Sequence, residues 1–305
     1  MMGERAYGSR DIEKLMGHKT NAYHNIIFIG GFPPSIARLA EYNYEVVRML
    51  ARQGISFTVL ANIPDLTAKN VELPSNVSVL YTWYKATTLL LPIRLILLRK
   101  THDTVILSFY HGIFGGSGIT NFLSTLSILI IARLLRYKVV TILHTLPELR
   151  ERIFKFFVGA FNSIYRLGAF LTTLFVLTLS NRIFLLVKTY KKVLCDTLPH
   201  LCPKIEYIPH GVPIYIRCSS KKLDSKETLT VAFVGLISSR KNLDVVLQAL
   251  SRVQSLLNIK QVNLKIIGAP HPYQLRKSLL FIKRLINSNI NIEYMGYLET
   301  KILQE

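Results

Sequence analysis

The sequence predicts an α/β chain made of two successive parallel-sheet units, the second ending early. Three observations predict this. Short apolar runs alternate with helix-period segments along the chain, glycine or histidine closes many of the apolar runs, and the alternation restarts after Pro209-His210-Gly211-Val212-Pro213. Strands that alternate with helices pair in parallel and carry helices on the faces of the sheet.

The elements follow in order. Residues 1–23 form a polar tail with charges of both signs, so they are no signal peptide. Asn25–Ile29 is an apolar run that enters a turn at Gly30-Gly31. A helix follows, with Leu39, Tyr42, Val46, Met49 and Leu50 at three- and four-residue steps and Gly54 where a C-terminal cap belongs. Ser56–Leu60 and Val77–Tyr81 are strands, and Leu89–Leu98 is a strongly apolar helix. Thr104–Phe109 is a strand, followed by a glycine-rich turn and a helix to about Arg136. Lys138–Leu143 is a strand that ends at His144, and a long Leu- and aromatic-rich helical region covers Glu148–Leu179. Ile183–Val187 and Glu206–Ile208 close the first unit, residues 24–212. Residues 213–228 read as a linker, and 229–305 as a second unit. That unit runs strand (Thr230–Val234), helix (to about Leu257), strand (Val262–Ile267), helix (Pro272–Asn287) and strand (Asn291–Tyr294).

Composition narrows the function classes. The 305 residues carry 38 Lys and Arg against 18 Asp and Glu, a net charge of +20, with a mean hydropathy of +0.31. The excess is 24 against 12 up to residue 212 and 14 against 6 beyond it, so no basic tail exists. A charge spread this way attracts anions in general. No zinc finger, RNP sequence or basic zipper accompanies it, which argues against nucleic acid. The longest stretch without Asp, Glu, Lys or Arg, Thr104–Ala132, is broken by glycine clusters, and its apolar tail falls short of the ~20 residues a spanning helix needs. Leu167–Ser180 is also short. Three cysteines (Cys195, Cys202, Cys218) make no disulfide framework and lack C-x-x-C spacing, so a reducing, cytoplasmic setting and no metal site are expected.

Ligands of parallel sheets bind beyond the carboxyl ends of the strands. Gly30-Gly31-Phe32-Pro33-Pro34 stands there, either as an ordinary tight turn or as a place where backbone approaches a ligand anion. No G-x-G-x-x-G occurs, so the dinucleotide fingerprint is absent. Gly112–Gly118 looks like a phosphate loop but lacks Gly-Lys-Ser/Thr, and reads as a flexible turn. His144 sits at a strand end, where its imidazole can meet a sugar hydroxyl or hold a loop carbonyl. His210 reads as shaping the hinge turn. Arg240 and Lys241 place positive charge beside the positive end of a helix dipole, which a phosphate ligand explains and a solvated charge pair also allows. The apolar helices Leu89–Leu98 and Phe154–Leu179 can be core. They can equally lie on a bilayer, with Arg94, Arg99, Lys100, Arg150, Arg152 and Lys155 meeting lipid phosphates.

Several segments together resemble the retaining glycosyltransferases of the group 1 class, which have the GT-B fold of two Rossmann-like domains. They are Gly30–Pro34, His144, Ile208–Val212, Val234-Gly235 through Lys241-Asn242-Leu243, Leu264–Gly268 and Ile292–Tyr297. The order and spacing carry the resemblance, over about residues 24–305. It implies sugar transfer from a nucleotide-sugar to a lipid-linked or saccharide acceptor, with retention and with no metal or other cofactor. The first domain would bind the acceptor and the second the nucleotide. Gly30 and Gly31 would approach the donor phosphates with Gly235, His144 would contact the transferred sugar or acceptor, and Lys241 with Arg240 would neutralise the leaving diphosphate.

Three departures accompany the resemblance. Leu236 stands where the class often has Arg, Asn242 stands where it often has glycine, and no glutamate has another eight residues on, so the Glu-x7-Glu donor segment is lacking. The expectation is therefore a C-terminally truncated enzyme whose lone chain is impaired. The competing expectation is a non-catalytic homologue that binds a partner or the cytoplasmic face of an anionic membrane.

Overall fold

The computed structural model describes residues 25–35, 38–63, 72–114, 118–146, 164–211, 228–235, 237–238, 241–257, 259–268 and 290–296. The chain divides into two units, Met1–Gly211 and Val212–Glu305. In the first, the strands are β1 (Asn25–Ile29), β2 (Ser56–Asn62), β3 (Val77–Trp83), β4 (Thr104–Phe109), β5 (Lys138–Leu143), β6 (Arg182–Leu185) and β7 (Ile205–Tyr207). They form one parallel sheet in the order β3-β2-β1-β4-β5-β6-β7. The helices are α1 (Arg38–Ala51), α2 (Leu91–Leu98), α3 (Gly118–Leu134), α4 (Ile164–Leu179) and α5 (Lys188–Thr197).

Strand alternation sorts the core into two layers. Ile27, Ile29, Leu107 and Leu143 point to the face covered by Leu91 and Leu95 of α2, Leu129 of α3 and Leu177 of α4. Ile26, Phe28, Phe57 and Ile106 point to the opposite face, with Val47 and Ala51 of α1. Burial of each such side chain contributes about 1.5–3 kcal/mol, and strands buried on both sides need the near-continuous Ile, Val and Leu runs seen here. Gly54 closes α1 at φ +89°, its N–H donating to the Ala51 carbonyl at 2.9 Å.

The chain moves outward from β1 to β2 and β3, then returns to place β4 on the other side of β1. This reversal is a topological switch point, the position at which open α/β sheets leave a crevice at their carboxyl edge.

Three expectations need adjustment. The row of α1 that packs deepest is Ala40, Asn43, Val47 and Ala51, one step from the predicted Leu39, Tyr42, Val46 and Leu50, because small residues let the helix approach the sheet. Helix α5 was not expected, since Lys188, Lys191 and Lys192 mask its periodicity; only Leu194 of it is fully buried. Cys195 of α5 and Cys202 of the following 3₁₀ turn (Pro199–Lys204) form a disulfide, a pairing that the cysteine spacing did not announce.

In the second unit, β8 (Thr228–Val234), β9 (Gln261–Ile267) and β10 (Asn291–Gly296) form a parallel sheet in the order β10-β9-β8. Helix α6 (Leu243–Leu256) packs on it through Leu243 and Leu250, against Val262, Leu264 and Ile266. β8 begins one residue inside the segment read as linker. The helix expected at Pro272–Asn287 lies outside the described residues, as do residues 147–163 and 115–117.

Candidate functional site

The switch point between β1 and β4 is where polar groups gather. Gly30-Gly31 follows β1, Ser108 sits near the end of β4, His144 follows β5, and Asn43 reaches them from the buried row of α1. Asn43 Nδ2 donates to the Gly31 carbonyl at 2.7 Å, Ser108 Oγ donates to Asn43 Oδ1 at 2.7 Å, and Ser108 Oγ lies 2.8 Å from His144 Nε2.

Donor and acceptor chemistry fixes every proton in this chain. A carbonyl only accepts, so the amide nitrogen of Asn43 must face Gly31 and its oxygen must face Ser108. The single hydroxyl proton of Ser108 then points at Asn43, leaving a lone pair toward His144. His144 Nε2 must therefore carry the proton, and Nδ1 is left as a bare acceptor. Among the described residues that buried Nδ1 has no hydrogen-bond partner. Burial, with a smaller contribution from His210, lowers the His144 pKa to about 4, so the ring is neutral at pH 7.

Aromatic edges frame the ring. Tyr42 meets His144 edge-on, with centroids 5.2 Å apart, and meets His210 at 5.1 Å; the two imidazoles are 6.3 Å apart. His210, expected only to shape a turn, is thus part of this cluster. A second buried acceptor, Asn62 Oδ1 at the end of β2, also lacks a partner among the described residues. It lies 3.8 Å from where a Cβ on Gly31 would stand.

The two glycines differ. A Cβ on Gly30 would come within 2.8 Å of Asn43 Nδ2 and 3.0 Å of the Ser108 Cβ. The room at Gly30 is filled by the hydrogen-bonded chain itself. Gly31 has nothing nearer than Asn62 and stays open to an incoming group.

In the second unit the turns after β8 and β9 interlock. A Cβ on Gly268, at φ +147°, would fall 1.9 Å from the Gly235 carbonyl oxygen. Gly235 itself has φ +146° and donates its N–H to the Ile267 carbonyl at 2.9 Å. Lys241 is exposed and immediately precedes Asn242, the N-cap of α6, whose φ of +47° turns the chain into the helix. Unsatisfied N–H groups at a helix start favour anions, and Asp244 in the first turn occupies part of that field. Arg240 lies outside the described residues. Among the described residues no group of three His, Cys, Asp or Glu could hold a metal ion.

Sequence reading missed Asn43, Ser108 and Asn62. The available signal was Asn43 itself, a polar residue in register with Ala40, Val47 and Ala51 on a buried helical row.

By sequence the chain matches no family description and no curated protein. Its fold is that of the GT-B glycosyltransferases, as comparison with solved structures shows. The α,α-trehalose 6-phosphate synthase of Burkholderia multivorans superposes with a TM-score of 0.59 at 11% identity, covering 93% of this chain and 74% of the other. The catalytic domain of starch synthase IV from Arabidopsis thaliana, solved with ADP and acarbose, gives 0.54 at 10%, covering 93% and 76%. A glycosyltransferase from Rickettsia africae ESF-5 gives 0.53 at 15%, covering 92% and 70%.

Proposed function

We propose that the protein transfers a sugar from a nucleotide-sugar to a saccharide or lipid-linked acceptor, with retention at the anomeric carbon. The observation that carries this reading is the neutral His144, with Nε2–H committed to Ser108 and Nδ1 left as a buried acceptor at the switch point. A group that only accepts suits a hydroxyl, and Asn62 Oδ1 offers a second acceptor of the same kind beside Gly31. The GT-B fold of the similar structures supports the reaction class.

The chemistry asks for two things. A sugar or acceptor hydroxyl must be oriented, which the acceptors of the first unit do. The diphosphate that leaves must be stabilised as its charge grows, the larger demand. In the second unit Lys241, beside the start of α6, supplies a cation, assisted by Arg240. In the first unit the backbone at Gly31, with nothing nearer than Asn62, leaves room for an incoming hydroxyl.

The test is calorimetric titration of the chain with UDP-, GDP- and ADP-sugars, followed by an assay of donor turnover. Binding of one of them is expected, with affinity reduced about tenfold or more in Lys241→Ala. His144→Ala with an unchanged unfolding midpoint should lose most turnover; an unchanged rate removes His144 from the reaction. Failure to bind any nucleotide or nucleotide-sugar overturns the proposal.

A further inference from the structure

Helices α2 and α3 lie side by side on the first sheet, and their solvent sides are apolar where a surface helix ordinarily turns charge outward. In α2 the residues Leu91 and Leu95 fill the core, yet Ile93 and Leu97, with Leu90 just before the helix, are exposed. In α3 the outward row is Leu123, Ile130 and Leu134. Exposure reaches 66% at Leu97 and 72% at Leu134, so these side chains are not rim residues of a core. Arg133 is the one charged residue in the seventeen of α3. Scattered exposed apolar residues are ordinary, but a row on each of two adjacent helices is not.

The charges around this face are positive but for Asp103. The C-terminal ends of α2 and α3 converge, since Arg99 Nε donates to the Leu135 carbonyl and the Arg99 guanidinium lies over the Tyr137 ring, 5.2 Å from its centroid. Arg99, Lys100, Arg133, Arg136 and Lys138 therefore collect at one end of the apolar rows, and Arg94 stands exposed within them. From Leu73 to Pro147 the sequence contains a single acid, Asp103, whose carboxylate accepts from Thr104 Oγ1 at 2.7 Å. Cations at these ends also lie beside the negative ends of the helix dipoles, which hold them there.

We propose that this face docks on an anionic phospholipid bilayer, with Leu90, Ile93, Leu97, Leu123, Ile130 and Leu134 entering the acyl boundary and the exposed Arg94, Lys100, Arg136 and Lys138 meeting headgroup phosphates. Apolar area supplies the insertion, and basic residues near the surface add attraction to an anionic leaflet. Apolar rows flanked by cations, with one acid in the whole stretch, match a layer of phosphates above an acyl boundary, and the flanking cations snorkel readily to that layer. Among the described residues no helix is long and apolar enough to cross a membrane. The inference is independent of the sugar-transfer reading.

The test is flotation of the full chain with vesicles of phosphatidylcholine alone and of phosphatidylcholine with phosphatidylglycerol. Capture by the anionic vesicles is expected, decreasing as salt is raised. Ile93→Ser/Leu97→Ser should reduce capture at least tenfold with an unchanged unfolding midpoint, and Arg94→Gln/Lys100→Gln should reduce it several-fold. No capture, or equal capture by uncharged vesicles, overturns the proposal. So does concentration-dependent self-association, followed by sedimentation, that Leu97→Ser abolishes while lipid capture persists.

Discussion

His144 takes up a proton at about pH 4 in the fold and near 6.5 once the chain unfolds. Between those values the unfolded chain binds more protons, so stability rises with pH across this window and is complete above it. The full difference is about 3 kcal/mol. The urea midpoint should therefore fall as pH drops from 7 to 5, and His144→Gln, whose amide can still donate to Ser108, should reduce that slope, the remainder coming from His102 and His111, which burial also lowers. Asn43 gives a second prediction at this scale. Asn43→Ala leaves the Gly31 carbonyl and the Ser108 hydroxyl without their partner in a buried setting, and should cost about 1–3 kcal/mol. Asn43→Leu keeps the volume and should cost a similar amount, which equilibrium unfolding can check. If either variant is as stable as the parent, the proton assignment along the chain fails.

Among elements, β1, β2, β4, β5 and β9 were legible because each is a short run rich in Ile, Val, Leu or Phe bounded by glycine or polar residues, whereas β7 and β10 carry one Ile each. α1 was legible in existence and less so in rotation. Tyr42, Val46 and Leu50 outweigh Ala40 in any hydrophobic count, yet the sheet admits the small row closest, and that row carries Asn43 into the core. α5 was hidden because a helix that buries one leucine leaves little apolar period. His144 was legible as a strand-end residue, whereas its partners were not, since Ser108 and Asn43 come from elements far apart in sequence. The glycine turns of the second unit make a prediction here. Gly268→Ala has no room against the Gly235 carbonyl, so β8 and β9 cannot both keep their turns. Amide hydrogen exchange in β8–β10 should rise sharply in that variant while exchange in β1–β5 stays unchanged.

For the whole molecule, the first unit has a complete two-layered core of its own, formed by one seven-stranded sheet. Residues 1–211 expressed alone are expected to unfold cooperatively, with the His144-dependent pH slope intact; a broad, non-cooperative transition would show that the unit needs the rest of the chain. The second unit has a smaller core, set by Ile237, Leu243, Leu250, Val262, Leu264, Ile266 and Ile290. The +20 charge serves two surfaces under the readings above, diphosphate in the second unit and headgroup phosphate at the first.

The switch point also sets a clock during synthesis. β1 is the central strand of the reversal, and Ile26 pairs with Thr104 on one side as well as with Phe57 on the other. A ribosome adding roughly 5–20 residues per second leaves β1 without its β4 neighbour for about 4–16 s, and without His144 for longer. Through that interval its unpaired edge is a strand template open to other chains. The nascent protein is thus most vulnerable to misassociation before the chain of hydrogen bonds through Asn43, Ser108 and His144 can close, and holdase chaperones should be found on nascent chains of this length.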